Sequence, residues 1–347
     1  MPVSEHIASV TDKAPAFRNS SGSISRMESR DLPVMKRLSL RRLLLAPQGV
    51  REPHWHANAH ELGYCLRGRH RVTIAGSHNL HSSFTLSAGE AFFVPSGALH
   101  HIENIGDVEG EMILGFSSER TEDFGLSGTL GSFTDAVLGN SLDLPASDFA
   151  DLKRTPHDTC IGGRAGKASA EGGEEPPSPY KLSVAGMVPQ IQNTGGAART
   201  AQSATWPILK DLAMFSLQIT DTGMREIHWH PETAEMGYVT GGVGRMTILS
   251  PGGSTDTYEM RSGDVYFIPR AYPHHIENVG AGDLTLLVFF DQSTPGDIGV
   301  QGVAGAYSTE VLAATFGVEP SAIPAFPTVD ADPLIVPRVN PIDPSLV

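Results

Sequence analysis

The stretch Arg51-Glu52-Pro53-His54-Trp55-His56-Ala57-Asn58-Ala59-His60-Glu61 reappears 174 residues later as Arg225-Glu226-Ile227-His228-Trp229-His230-Pro231-Glu232-Thr233-Ala234-Glu235. In each copy two histidines stand two residues apart, which on a β-strand turns both imidazoles to one face. The glutamate follows five residues after the second histidine, an odd separation. A bend at Asn58 and Ala59, and at Glu232 and Thr233, must therefore bring its carboxylate round. A third histidine comes from a later strand, His100 after Pro95 and Gly97, and His274 after Pro269, with Asn104 and Asn278 four residues further on. The same offset, without a gap, relates Asn19 to Asn193, Pro33 to Pro207, Gly106 to Gly280 and Phe116 to Phe290. The chain is a tandem duplication.

Around these histidines, each copy is a series of short β-branched, aromatic and aliphatic runs broken by Gly, Pro, Asn and Asp. Residues 40–45, 71–75 and 91–94, matched by 214–219, 245–249 and 265–268, are examples. That spacing predicts many short antiparallel strands in a sandwich or barrel, an all-β fold. One helix is expected after each barrel. In the second copy it spans 309–316, with Ser308 as N-cap, Val311, Leu312, Thr315 and Phe316 on one face, and Gly317 as its stop; in the first it falls near 133–138. The expected organisation is an N-terminal arm (1–18), a first domain (19–144), a linker (145–179), a second domain (180–317) and a proline-rich tail (318–347). The linker, with Gly162-Gly163, Gly172-Gly173 and Pro176-Pro177, has neither strand nor helix periodicity and reads as exposed. The tail carries seven prolines and is expected to lie extended over a neighbouring surface or to be partly disordered.

Three neutral imidazoles and one carboxylate suit a first-row divalent ion, and the lack of thiolates argues against a structural zinc site. The candidate ligands are His54, His56, Glu61 and His100 in the first copy, and His228, His230, Glu235 and His274 in the second. Manganese(II) or iron(II) fits such a set. A lone His-x-His arises easily by chance; four ligand types at matched spacing, twice, do not. His60 faces Ala234 in the repeat, and His70, His78 and His81 have no histidine counterpart, so these four read as surface or loop residues. His101 and His275 recur but point to the opposite face of the ligand strand, which favours a packing role.

Both copies match the two cupin motifs, and the arrangement from about Asn19 to Phe316 resembles the bicupin oxalate decarboxylases. One departure is Ala271, where the second motif usually has glycine. The resemblance implies two tandem jelly-roll barrels, each holding one Mn2+, and assembly into trimers or hexamers through the helices. It also implies that Arg51 and Arg225, three residues before the first ligand, hold the substrate carboxylate beside the metal. The alternative for each arginine is a surface ion pair with Glu52 or Glu226. In the resembling enzymes a glutamate on a loop after the first barrel donates the proton, within a segment this chain lacks. At the corresponding place stand Glu119-Arg120-Thr121-Glu122-Asp123, so Glu122 is the nearest candidate acid and Glu119 the second. Ser293 and Gly296 occupy the matching positions of the second copy, so only the first site would use this acid.

Lys and Arg total 25 against 39 Asp and Glu, a formal charge of −14, which repels phosphate backbones and anionic membranes. Neither nucleic acid nor membrane is an expected partner; the expected ligand is a small mono- or dicarboxylate, which the metal and the arginines make possible despite the acidic balance. Cys65 and Cys160 are the only cysteines, and no secretory or membrane-spanning apolar run is present, so a cytoplasmic location is expected. The favoured activity is an oxalate decarboxylase-like carbon–carbon lyase, with dioxygen as oxidant. The alternatives are an oxidase or dioxygenase acting on a related carboxylate, and a non-catalytic binding or storage protein.

Overall fold

The runs of Val, Ile, Leu and Phe pair antiparallel, with alternate residues turned inward, and build two barrels of two sheets each. The computed structural model describes residues 4–78, 80–166, 177–329 and 331–342. Among these residues each barrel has a seven-stranded and a six-stranded sheet, one of the six strands lying off the main order on the side of the sheet. The six-stranded sheet of the first barrel contains Gly49–His56, Leu99–Asn104 and Arg69–Ala75; that of the second contains Gly223–Trp229, His274–Asn278 and Val243–Leu249. Val72, Ile74, Phe84, Phe92 and Ile102 fill the first interior, and Met246, Ile248, Tyr258, Tyr266 and Ile276 the second.

A third core joins the barrels back to back, with Leu40, Leu62 and Phe93 packing in one cluster with Met214, Met236 and Phe267. The chain also exchanges edge strands. Ile7–Ser9, from the N-terminal arm, pairs with Asp264–Ile268 of the second barrel, and its repeat counterpart Lys181–Ser183 pairs with Glu90–Val94 of the first. Each exchange covers a sheet edge that would otherwise present unpaired backbone groups.

The helix expected in the second copy spans Thr309–Phe316, with the Ser308 side chain accepting from Val311 N and Gly317 left-handed at φ 66°. Its first-copy counterpart begins later than expected and runs over Asp135–Leu142, capped by Thr134. The faces expected to be apolar are largely exposed: Val137 and Leu142 on one helix, Val311 and Phe316 on the other.

The segment read as an exposed linker is a correction. Ile161–Gly163 forms a strand against Gly49–His56, and Ile161 is buried in the first barrel. Its repeat counterpart in the tail, Ile335–Pro337, pairs with Gly223–Trp229, with Ile335 equally buried. Strand periodicity could not reveal either, because only one residue of each three-residue strand faces the core. Gly172-Gly173 and Pro176 lie outside the described residues.

Candidate metal centres

Each centre is built from both sheets of its barrel. His54 and His56 lie at the end of Gly49–His56; the chain then turns, and Glu61 opens Glu61–Arg67 in the opposite sheet. His100 is the direct Cα partner of His54, and His274 of His228. The ligand atoms of His54, His56, Glu61 and His100 lie within 4.8 Å of one another, as do those of His228, His230, Glu235 and His274, and all eight residues are buried.

The turns that deliver these residues have clear causes. Asn104 donates to Leu45 O and Val108 O, both at 2.8 Å, and accepts from Gly106 N; Asn278 repeats the arrangement with Ile219 O, Gly282 O and Gly280 N. Before the third histidine the chain turns through left-handed Gly97, at φ 77°. Ala271 takes the same turn at φ 61°, a conformation that disfavours a Cβ.

The imidazoles are oriented from behind. His54 Nδ1 bonds Glu52 O at 2.7 Å, His100 Nδ1 bonds Ala98 O at 3.0 Å, and His56 Nδ1 bonds Asp123 Oδ1 at 2.8 Å. In the second barrel the acceptors are Glu226 O, Tyr272 O and Gly296 O. Carbonyl and carboxylate oxygens only accept, so each Nδ1 carries a proton, and each Nε2 faces the shared space, where those of His56 and His100 lie 2.7 and 3.1 Å from Glu61 Oε2 and would turn their lone pairs to a bound cation. Burial, with the nearby arginine, holds His54 and His228 well below the usual imidazole range, so both are neutral. Burial would raise the Glu61 and Glu235 carboxyls, but the facing histidines outweigh it and keep both ionised. Glu61 Oε1 and His274 Nε2 are buried without a hydrogen-bond partner. Three inward Nε2 atoms, one carboxylate and an orphaned oxygen fit a divalent cation.

Both arginines reach their centres through a β-bulge. Ile102 pairs with Arg51 while His100 pairs with His54, so the shorter side of the ladder spans two residues and the longer side three. The bulge turns Arg51 to the face of His54 despite the odd spacing. The same shift brings Arg225 to the face of His228. Neither arginine pairs with the neighbouring glutamate. Arg51 donates to Asp123 Oδ2 at 3.0 Å and to Cys160 O at 3.2 Å; Arg225 donates to Asp297 and to Leu334 O. Glu52 instead accepts from Ser127 N and Cys160 N, and Glu226 from Gln301 N.

The structure does not bring Glu122 or Glu119 to the histidines. Glu122 is exposed, its backbone tied to Asn58 and Ala57, and the Glu119 carboxylate accepts from Arg37 N at 2.9 Å. The acid that touches the site is Asp123, which sequence reading passed over. Its signal was there: Asp123-Phe124-Gly125-Leu126 and Asp297-Ile298-Gly299-Val300 stand at the 174-residue offset. Burial would raise the Asp123 carboxyl, but Arg41 and His56 hold it well below the usual range.

His70, expected at the surface or in a loop, is a correction. It is buried, with Nδ1 3.5 Å from Cys65 Sγ, in a space that exists because residue 110 is glycine. His78 and His81 are exposed, His60 is partly buried, and His101 and His275 are partly buried beside the ligand strands.

A family model described as Cupin matches residues 8–147 and 182–323. The chain is 28% identical over 276 residues to the oxalate decarboxylase OxdC of Bacillus subtilis, covering 78% of this chain and 71% of that one. It is 26% identical over 310 residues to a probable oxalate decarboxylase of Arthroderma benhamiae, covering 86% and 75%. The solved structure of the Bacillus subtilis oxalate decarboxylase at pH 4.6 superposes with a TM-score of 0.86 at 23% identity, over 97% of this chain and 89% of that one. The Mn(II) centres of that same protein are the subject of another similar structure.

Proposed function

Since the chain belongs to the cupin family, we propose that it is a metal-dependent carbon–carbon lyase of the oxalate decarboxylase type, cleaving a small carboxylate to carbon dioxide and a shorter acid. The observation that carries this reading is the placement of Arg51 on the wall of one small cavity with His54, His56 and Glu61. A guanidinium there offers a planar fork to a carboxylate, beside a donor set suited to a divalent ion. His54, His56, Glu61 and His100 hold the ion of the first site, and His228, His230, Glu235 and His274 that of the second. When bound, manganese(II), or iron(II) in its place, supplies Lewis acidity and one-electron redox chemistry, with dioxygen as the oxidant. The Mn(II) centres of the Bacillus subtilis oxalate decarboxylase support manganese.

Arg51, and Arg225 in the second barrel, bind and orient the substrate carboxylate. The Nδ1 bonds of the histidines keep their Nε2 atoms aimed inward, and the apolar walls, Leu114 and Phe116 among them, exclude water. Asp123 is held as an anion and cannot donate a proton. Glu122, one residue before it and exposed, takes the role of acid once its loop turns inward; Glu119 is second in line.

One observation favours an oxidase or dioxygenase reading of the same site, namely that among the described residues no neutral acid touches the cavity. The deciding experiment is an oxalate assay on protein of known metal content, scored for formate and for hydrogen peroxide. Formate supports the lyase, peroxide the oxidase, and neither product removes both. A binding or storage role is disfavoured, because neither quartet has lost a ligand. The exposed apolar residues of Asp135–Leu142 and Thr309–Phe316 support assembly of copies of the chain into a trimer or hexamer, and two free thiols support a cytoplasmic location.

A further inference from the structure

The two barrels differ at one position beside Asp123. Arg41, on the strand Ser39–Leu45, is buried and grips Asp123 with both arms, Nη1 to Oδ2 at 2.5 Å and Nη2 to Oδ1 at 3.0 Å. Arg51 reaches the same carboxylate from the opposite sheet, and His56 completes it. One carboxylate thus sits between two buried guanidinium groups, a geometry that recognises carboxylates in general. Arg41 and Arg51 line the same cavity as His54, His56 and Glu61, and its volume is about 10 Å³, room for about one water molecule.

In the second barrel the position of Arg41 is held by Phe215, whose ring meets Phe290 edge-on at 4.7 Å. Asp297 gives one oxygen to Arg225 and leaves Oδ1 buried without a hydrogen-bond partner. The same fold therefore accepts an apolar residue here, and an apolar residue of similar volume is generally at least as stabilising as a buried ion pair. The barrel does not need Arg41 in order to fold. Arg51, meanwhile, gives one arm to Asp123 and the other to Cys160 O, and the cavity beside them holds no more than about one water, so a substrate carboxylate reaches both guanidinium groups by taking the place of Asp123.

We propose that Arg41 and Arg51 together form the receptor for the substrate carboxylate in the first barrel, that Asp123 fills this receptor in the resting chain, and that the second barrel lacks it. The inference rests on the carboxylate reading above and deepens it: the first barrel binds a small mono- or dicarboxylate with two guanidinium groups, the second with one. Displacement of Asp123 loosens the segment before it, whose ties include Asn58 to Arg120 O and Glu122 N, Ala57 N to Glu122 O, and Arg41 and Ser39 to Thr121.

Asp123→Ala in manganese-loaded protein removes the resident carboxylate and leaves a space of acetate size. Acetate, formate and oxalate should then bind at least about tenfold more tightly than to the unaltered protein by calorimetry, and acetate should raise the melting temperature of the variant. Adding Arg41→Phe, the residue of the second barrel, should abolish the gain, and Asp297→Ala should give no comparable one. If the unaltered protein binds or turns over oxalate and Asp123→Ala binds these anions no more tightly, the receptor is refuted and the carboxylate reading stands. If neither protein binds any of the three and no turnover occurs, both fail. Should Asp123→Ala not fold, hydrogen exchange on the unaltered protein decides: saturating oxalate should speed exchange at Ala57 and Glu122, and unchanged exchange there refutes the displacement.

Discussion

Tyr266 donates its hydroxyl to Glu235 Oε1 at 2.7 Å, whereas the matching position of the first barrel is Phe92 and Glu61 Oε1 has no partner. The ring lies against Gly237, where a Cβ would come within 2.0 Å of it, so this glycine is what admits the tyrosine. The carboxylate of the second centre is thus held at both oxygens, while that of the first is held only through Oε2, by His56 and His100. Tyr266→Phe should weaken metal binding at the second centre about tenfold and leave the first unchanged, read by chelator competition with elemental analysis. In manganese-loaded protein it should also make the electron paramagnetic resonance of the two centres more alike.

His56→Ala and His230→Ala should each remove about one metal ion per chain, and the double variant about two. Elemental analysis of purified, folded protein checks this. Unchanged metal content in either single variant would refute the assignment of that quartet.

Glu122→Gln should abolish formate production with metal content and melting temperature unchanged, because the side chain is exposed and holds nothing together. Glu119→Gln should keep most of the activity and change stability by less than about 0.5 kcal/mol, since the amide oxygen can still accept from Arg37 N. Full activity in Glu122→Gln would remove that residue from the mechanism.

Ile335 is buried in the second barrel although it lies in the proline-rich tail, and Leu334 O beside it accepts from Arg225 at 2.8 Å. Ile335→Ala should cost about 2–5 kcal/mol in denaturant unfolding. Ile161→Ala should cost a similar amount in the first barrel. A loss under about 0.5 kcal/mol would mean that these straps are not part of the folded core.

His70 is pushed down to about 4 by burial. Its unfolded value is about 6.5, so the unfolded chain takes up the proton first as pH falls. The stability that comes from keeping His70 neutral is complete above about pH 6.5 and is lost as pH falls toward 4, by about 3 kcal/mol in all. His70→Phe should flatten this part of the acid profile. Melting curves of variant and unaltered protein at pH 7.5, 5.5 and 4.5 check it, and parallel profiles would refute it.

What could be read from the chain was whatever repeats at a fixed spacing. The 174-residue offset revealed the duplication, the alternating runs revealed the strands, and Ser308 with Gly317 marked both ends of the last helix. The His-x-His pairs, the glutamates and the later histidines were recognisable because period-two geometry turns alternate side chains to one face. Asp123 and Ile161 carried the same offset as their partners Asp297 and Ile335, but in segments without periodicity the offset alone does not tell a buried residue from a solvated one.

Tertiary structure decided the rest, because it depends on contacts between distant segments. Pairing with Leu99–Asn104 creates the bulge that turns Arg51 toward His54, and no local propensity encodes that register. The ion-pair partner of Arg51 is an aspartate 72 residues away rather than the adjacent Glu52, whose own oxygens are drawn to Ser127 N and Cys160 N. The sequence by itself therefore determined the fold and which side chains converge in two like quartets. Only the folded chain decided that the quartets are unlike, since Arg41 against Phe215 and Phe92 against Tyr266 take on meaning once packing sets them beside Asp123 and Glu235.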